Sequence, residues 1–293
     1  MQKIAFWRSI GDAYAFVFGQ PLRLLRIGGV WLAIFFLYSL WYVLPGAVAR
    51  PTGLADALRD SGIELAALLF YLFGLISFAV AWHRAVLLNE DRTWLAALRF
   101  RRREWRFLGN GLIILLLIGL LVGVPLSVAS WVFSIVLSAG LSQAHVGPGL
   151  GLVMAIAAGA ILPGIGSAVW CRLALVFPAV AADAPGEPIA ETWQQSRGNW
   201  LRLYFASLLC GLPVWALGWV VDRVSAGPLT RYSWTFAGDG KFIATYGGEL
   251  QSALGLLVYF LEAAVLIAFY SIAYRQLPAP GAASSMPAPQ PAE

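Results

Sequence analysis

Residues 254–274 read LGLLVYFLEAAVLIAFYSIAY, a run broken by a single charge, Glu262. Crossing a hydrocarbon core takes about 20 residues of helix, so the run has the length of a transmembrane span. A carboxylate near the bilayer centre costs roughly 2.5–3.5 kcal/mol. The eleven Leu, Val, Ile and Phe residues between 251 and 273 together contribute on the order of −3 to −7 kcal/mol. Insertion therefore survives the charge.

The rest of the chain has the same character. Of 293 residues, 60% are hydrophobic and 12% charged, about half the charged fraction of an ordinary soluble domain. Runs without Asp, Glu, Lys or Arg cover 27–49, 65–82, 107–171, 203–221, 250–261 and 263–274. The third is too long for one span. It is interrupted at 138–151 by the glycine-bearing, polar stretch SAGLSQAHVGPGLG, which divides it into helices over roughly 110–136 and 150–171. These runs predict an all-α membrane protein with six transmembrane helices.

Basic residues near span ends set orientation, because cytoplasmic loops are enriched in them. With the N-terminus inside, the inner segments hold 15 of the 20 lysines and arginines and the outer ones only Arg50, Arg59, Arg223, Arg231 and Lys241. Both termini are thus expected in the cytoplasm. The net charge of +5 and the segment RFRRREWRF at 99–107 raise the question of nucleic acid. The cluster abuts a span, so Arg99, Arg101, Arg102, Arg103 and Arg106 read instead as contacts for anionic lipid headgroups, worth about 1 kcal/mol each. Membrane lipids, and other membrane proteins, are the expected partners.

Cys171 and Cys210 match no metal spacing and read as small apolar fillers. Ala47, Val48 and Ala49 resemble a signal-peptide cleavage site, but the apolar run before them exceeds the usual 7–15 residues, which predicts an uncleaved first span.

Three span ends echo one another: AVAWHR at 79–84, SAVWCR at 167–172 and SIAYRQ at 271–276. They align Trp82, Trp170 and Tyr274, followed by Arg84, Arg172 and Arg275. Interface physics accounts for part of this, since aromatic rings favour the headgroup level and arginine heads snorkel outward. A second echo, FGQPLRL at 18–24 against RGNWLRL at 197–203, is not demanded by it; the middle counterpart, RREWRFL at 102–108, keeps little.

Upstream of the odd spans lie helical stripes: Phe6, Ile10, Ala13 and Val17; Ile189, Trp193, Ser196 and Trp200; and, interrupted by Arg101, Trp94, Leu98 and Trp105. Such helices would lie flat in the inner interface. The expected architecture is three helical hairpins, each preceded by an interfacial amphipathic helix. The repeat units run over about 1–84, 92–172 and 190–276 of a membrane domain covering 1–276, with a disordered cytoplasmic tail at 277–293.

Gly151, Gly159, Gly164 and Gly166 suggest close packing in span four, and Pro125, Pro163 and Pro213 predict kinks in spans three to five. In the last external loop, Tyr232, Trp234 and Phe236, then Gly238-Asp239-Gly240, then Phe242, Ala244 and Tyr246 predict a β-hairpin.

Chemistry is sparse. Glu262 reads either as a site for a proton, a cation or a polar substrate group, or as a protonated acid bonded across a helix interface. His83 at the inner interface and His145 in a loop have no paired acids nearby in sequence. Glu90, Asp91 and Asp183 read as solvated loop residues. Gly147, Gly149 and Gly151 lack the strand and lysine of a nucleotide site. No cofactor or metal is expected.

The stretch RLALVFPAVAADAPGEPIAETWQQSRGNWLRLYFASLLC at 172–210 carries Phe-Pro-Ala, then Asp183, then Trp193, Ser196, Arg197, Gly198 and Asn199. It resembles the membrane domain associated with bacterial glycerophosphodiester phosphodiesterases and with related stand-alone membrane proteins. The resemblance implies a bacterial cytoplasmic membrane and a role near lipids. No segment outside the apolar runs is long enough for the hydrolase domain, so phosphodiesterase activity is not carried over. The functional expectation is a non-enzymatic membrane module interacting with lipids or partner proteins. A carrier of a small or amphipathic molecule using Glu262 is the first alternative, and a lipid-modifying enzyme using His83 the second.

Overall fold

The computed structural model describes residues 3–43, 54–91, 100–128, 131, 162–225, 234–236, 242–244 and 249–277. In chain order the elements are α1 (Phe6–Gly19), α2 (Pro21–Val43), α3 (Leu54–Leu88), α4 (Arg102–Ile118), α5 (Leu162–Leu173), α6 (Val176–Ala181), α7 (Pro188–Gln195), α8 (Trp200–Ser225), β1 (Trp234–Phe236), β2 (Phe242–Ala244) and α9 (Glu249–Gln276). Five helices, 65–88, 102–128, 164–181, 200–224 and 254–276, are long and apolar enough to cross a membrane; α1 and α2, bent by 74° at their junction, make a sixth candidate if taken as one span. This is the layout of a multi-pass helical membrane protein. The split of the long run near 138–151, His145 and the middle amphipathic stretch at 92–99, with Arg99, lie outside the described residues. So do the tail residues 278–293.

Helix α9 is the centre of the bundle, packing against α1, α2, α3 and α8. Its inward faces carry small residues, Ala264, Ala268 and Ala273, beside Val265 and Phe269, all fully buried, so neighbouring backbones can come close. In contrast α4 and α8 present leucines outward, Leu115 and Leu116 being more than 60% exposed. Such surface is tolerable where lipid replaces water.

Glycine matters most where α2, α3 and α9 meet. A Cβ on Gly28 would overlap the Phe260 ring and come within 2.9 Å of Phe78, and one on Gly74 would lie 2.5 Å from the Trp31 ring. We expect Gly28→Ala to lower stability by about 1–3 kcal/mol through overpacking. Gly11→Ala, with nothing near the added methyl, should be neutral or slightly stabilising. Thermal unfolding in detergent checks both, and equal effects would place Gly28 at the surface.

Several expectations change. The stripe of α1 does not face lipid: Ala13 and Val17 are buried, and Phe6 and Ile10 pack with them against α8 and α9. The buried face of α7 and the turn after it is polar, comprising Thr192, Ser196 and Asn199, while Trp193 and Trp200 are 39% exposed. Among the span-four glycines, a Cβ on Gly166 would come within 2.9 Å of Val122 and one on Gly164 would meet nothing within 4 Å; Gly151 and Gly159 lie outside the described residues. Leu277 is buried, so the folded domain extends one residue into the expected tail.

The prolines act locally. Ahead of Pro125, residues 119–123 form a π-helical turn in which the Val124 N–H bonds to the Gly119 carbonyl, five residues back. Pro125 supplies no N–H to the preceding turn, and the wider turn accommodates that loss. Pro213 lies inside α8, which continues through it. The two short strands pair antiparallel with Thr235 opposite Ile243, the register expected from a turn at 238–240.

Candidate functional site

The helix ends rich in arginine meet at one end of the bundle. Each of the three aligned arginines reaches a main-chain carbonyl in the last turn of another helix. Arg84 donates to Ala181 at the end of α6 (2.7 Å), Arg172 to Trp193 in α7 (2.7 Å), and Arg275 to Val86 and Leu87 in α3. A cation at those orphan carbonyls also complements the helix dipole. These heads hold helices together, where the sequence alone has them snorkelling to water.

Arg84 is the hub, its side chain only 12% exposed while it pairs with Glu90 (2.6 Å) and Asp183 (2.9 Å). Asp183 holds a positive φ of 55° after α6, a conformation that Asp tolerates better than most residues, and it also faces Arg103 at 3.8 Å. Arg23 meets Asp91 at 2.6 Å. The acids expected to be solvated are therefore partners in this network. Of the expected lipid contacts, Arg101, Arg102 and Arg106 are exposed, whereas Arg103 is turned partly inward to Asp183.

The aligned aromatics occupy unlike surroundings. Trp82 is fully buried between Phe16 and Phe78 and donates its indole N–H to the Ala264 carbonyl (2.9 Å). Trp170 is 42% exposed, and Tyr274 is half-buried.

The motif shared by Trp193 to Asn199 folds into a clasp. Arg172 stacks on the Trp193 ring at 3.4 Å and donates to Ser196 Oγ (3.2 Å). Gly198 adopts φ 79°, open to glycine without strain, and turns the chain into α8. Asn199 Oδ1 then accepts the Ile4 N–H (3.2 Å), while Arg202 donates to the Ile4 carbonyl (3.1 Å). This clasp on the N-terminal segment had no sequence signal beyond the Gly-amide-x-Leu-Arg spacing.

The second feature is a groove of about 520 Å³ between α5, α8 and α9, within the 300–1,000 Å³ range of small-molecule sites. Glu262, Leu266 and Tyr270 line it from α9 at i, i+4 and i+8; Tyr204, Ser207 and Gly211 line it from α8. Both sets follow a single helical face. Leu208, Leu212 and Trp215, half or more exposed, form its outer lip.

Most polar groups here are partnered. Ser207 donates to the Tyr204 carbonyl (2.8 Å), Cys171 Sγ lies 3.7 Å from both Ser207 Oγ and the Tyr270 hydroxyl, and the Tyr14 hydroxyl donates to the Cys210 carbonyl (2.6 Å). Cys171 is thus more than a filler. Glu262 differs: among the described residues no hydrogen bond or ion pair reaches its half-buried carboxylate, whose Oε1 lies over Gly211. It stands about 12 Å from one end of the 254–276 helix and about 21 Å from the other, at 1.5 Å per residue.

His83 is placed otherwise. It is buried and its Nδ1 lies 2.7 Å from Ser271 Oγ, which itself donates to the Ile267 carbonyl (2.8 Å). The imidazole Nδ1–H is therefore the donor, the reverse of the polarity that a nucleophilic serine needs from its base. No carboxylate bonds to it among the described residues.

No family model, curated protein or solved structure matches this chain.

Proposed function

We propose that the chain is a non-enzymatic multi-pass membrane protein that binds an amphipathic molecule in the α5–α8–α9 groove, with Glu262 receiving its cationic or hydrogen-bond-donating group. The observation that carries this reading is a carboxylate at membrane depth with no partner from the described residues, set in a groove of ligand size. An occupant that supplies a donor there, and lays an apolar tail along Leu208, Leu212 and Trp215, relieves an otherwise costly group.

Both termini on the cytoplasmic side are part of the proposal, supported by the gathering of arginines at one end; a bacterial cytoplasmic membrane is part of it too, and rests on the resemblance over 172–210 alone. So are the three-hairpin repeat and the kinship with phosphodiesterase-associated membrane domains, supported by the shared arginine caps and by the clasp at Trp193 to Asn199. Phosphodiesterase activity is not included.

A carrier role is the second reading. It is favoured by Pro213, which withholds one backbone hydrogen bond from the otherwise continuous α8 two residues from Gly211, beside the carboxylate.

The test is extraction of co-purifying lipids and amphiphiles followed by mass spectrometry, for the native protein and for Glu262→Gln and Glu262→Ala. Removing a charge-assisted contact worth about 1.5–3 kcal/mol should reduce retention of one amphiphile class by about 10- to 100-fold in the alanine variant. Unchanged profiles, with higher melting temperatures in both variants, would mean that the carboxylate is only a tolerated burden.

A further inference from the structure

At the arginine-rich end a cleft of about 710 Å³ opens between one face of α1, from Arg8 to Phe16, and the last turns of α3 and α9. It belongs neither to the Glu262 groove nor to the Arg84 hub. Its charged lining is Lys3, Arg8 and Arg275 against Asp12 alone, with Asn89 and Gln276 as neutral polar neighbours.

The cations are not neutralised from within. Arg8 and Asp12 are 3.7 Å apart with side chains 82% and 51% exposed, a geometry worth little in water. Arg275 uses Nη2 on the α3 carbonyls, leaving its other N–H donors uncommitted. Lys3 is exposed and has no acceptor among the described residues.

The cleft runs along one face of α1, where Arg8, Asp12 and Phe16 follow one another at helical spacing. The segment between Lys3 and Arg8 is held in place: Ile4 is gripped by Asn199 and Arg202, and Gln276 accepts the Ala5 N–H (2.9 Å) and bonds Ser9. Phe16 and Val86 supply apolar walls. Three cations against one acid, on segments fixed by hydrogen bonds and around room for more than one phosphate, form an anion site, not a solvated face.

We propose that this cleft binds a phosphate group, carried by the headgroup of an anionic membrane lipid or by a soluble phosphate ester. Basic pockets between helices at the cytoplasmic level are where phospholipid headgroups seat, and the exposed ring of Trp7 (73%) stands on the first turn of α1. The site is independent of what occupies the Glu262 groove.

The experiment uses the full chain in neutral detergent and follows its melting temperature as phosphatidylglycerol, phosphatidylcholine, inorganic phosphate or glycerol phosphate is added. Phosphatidylglycerol should stabilise saturably and phosphatidylcholine with the same tails should not. The double variant Lys3→Gln/Arg8→Gln should weaken the apparent affinity at least 10-fold, and Arg197→Gln/Arg223→Gln, which removes the same charge from exposed sites elsewhere, less than 3-fold. Saturable stabilisation by the soluble phosphates, equally sensitive to Lys3 and Arg8, assigns the site to a soluble ester and keeps the chemistry. Equal weakening by both double variants, or no saturable shift with any ligand, overturns the proposal. Since Lys3 and Arg8 are exposed, loss of fold is not expected; Arg8→Lys should retain affinity and guards against it.

Discussion

Trp82→Ala is expected to lower the stability of the bundle by about 3–5 kcal/mol, the range for deleting a large aromatic from a packed core. The indole is fully buried, edge-on to Phe16 and stacked near Phe78 at 6.1 Å, and its N–H ties α3 to the α9 carbonyl at Ala264. Lipid is as apolar as these rings, so the loss comes from packing contacts and the cavity left behind, not from exposure to water. Trp82→Phe separates the parts. It keeps most of the volume and removes the donor, at an expected cost of about 1 kcal/mol. Reversible unfolding by titration with a denaturing detergent in bicelles measures both. A cost below about 1 kcal/mol for the alanine variant would place the ring at the headgroup level after all.

The second large effect is expected at Arg84. Arg84→Leu removes bonds to Ala181, Asp183 and both carboxylate oxygens of Glu90. Charge-assisted bonds are worth about 1.5–3 kcal/mol each but do not add within one network. Because Glu90 and Asp183 are half exposed, water recovers part of the loss, and we expect about 2–4 kcal/mol. Arg84→Lys should recover only a fraction, since an ammonium cannot fork between two carboxylates and a carbonyl. A double-mutant cycle with Asp183→Asn should return a coupling above about 1 kcal/mol. A coupling near zero would show the pair to be a surface contact of no consequence.

The candidate site was half legible. Glu262 was conspicuous as the one charge in an apolar run, because a carboxylate at that depth needs a reason. Its groove was not, since Tyr204, Ser207 and Gly211 belong to a helix with almost no polar stripe, and only the crossing of α8 over α9 brings that face to the carboxylate. Asp183, Glu90 and Asp91 are the exposed loop acids that the sequence implies; their pairing with Arg84 and Arg23 was not legible, because a loop acid and a hub acid look identical until the opposing arginine is in place. Gly28 and Gly74 drew no attention, as their constraint is the bulk of aromatic rings from other helices.

What the sequence determined by itself is that the chain is built from long apolar helices, five or six of them able to cross a membrane, with arginines gathered at helix ends. Both follow from local rules: a span requires a minimum apolar length, and charge is confined to its ends. Only tertiary structure decided which faces are buried, that Trp82 is core and Trp170 surface, that α1 packs inward, and that Glu262 stands in a groove with no partner among the described residues. Within lipid, apolar residues face both protein and solvent, so hydropathy loses its power to mark the inside, and the choice passes to shape and to hydrogen bonds between residues far apart in the chain.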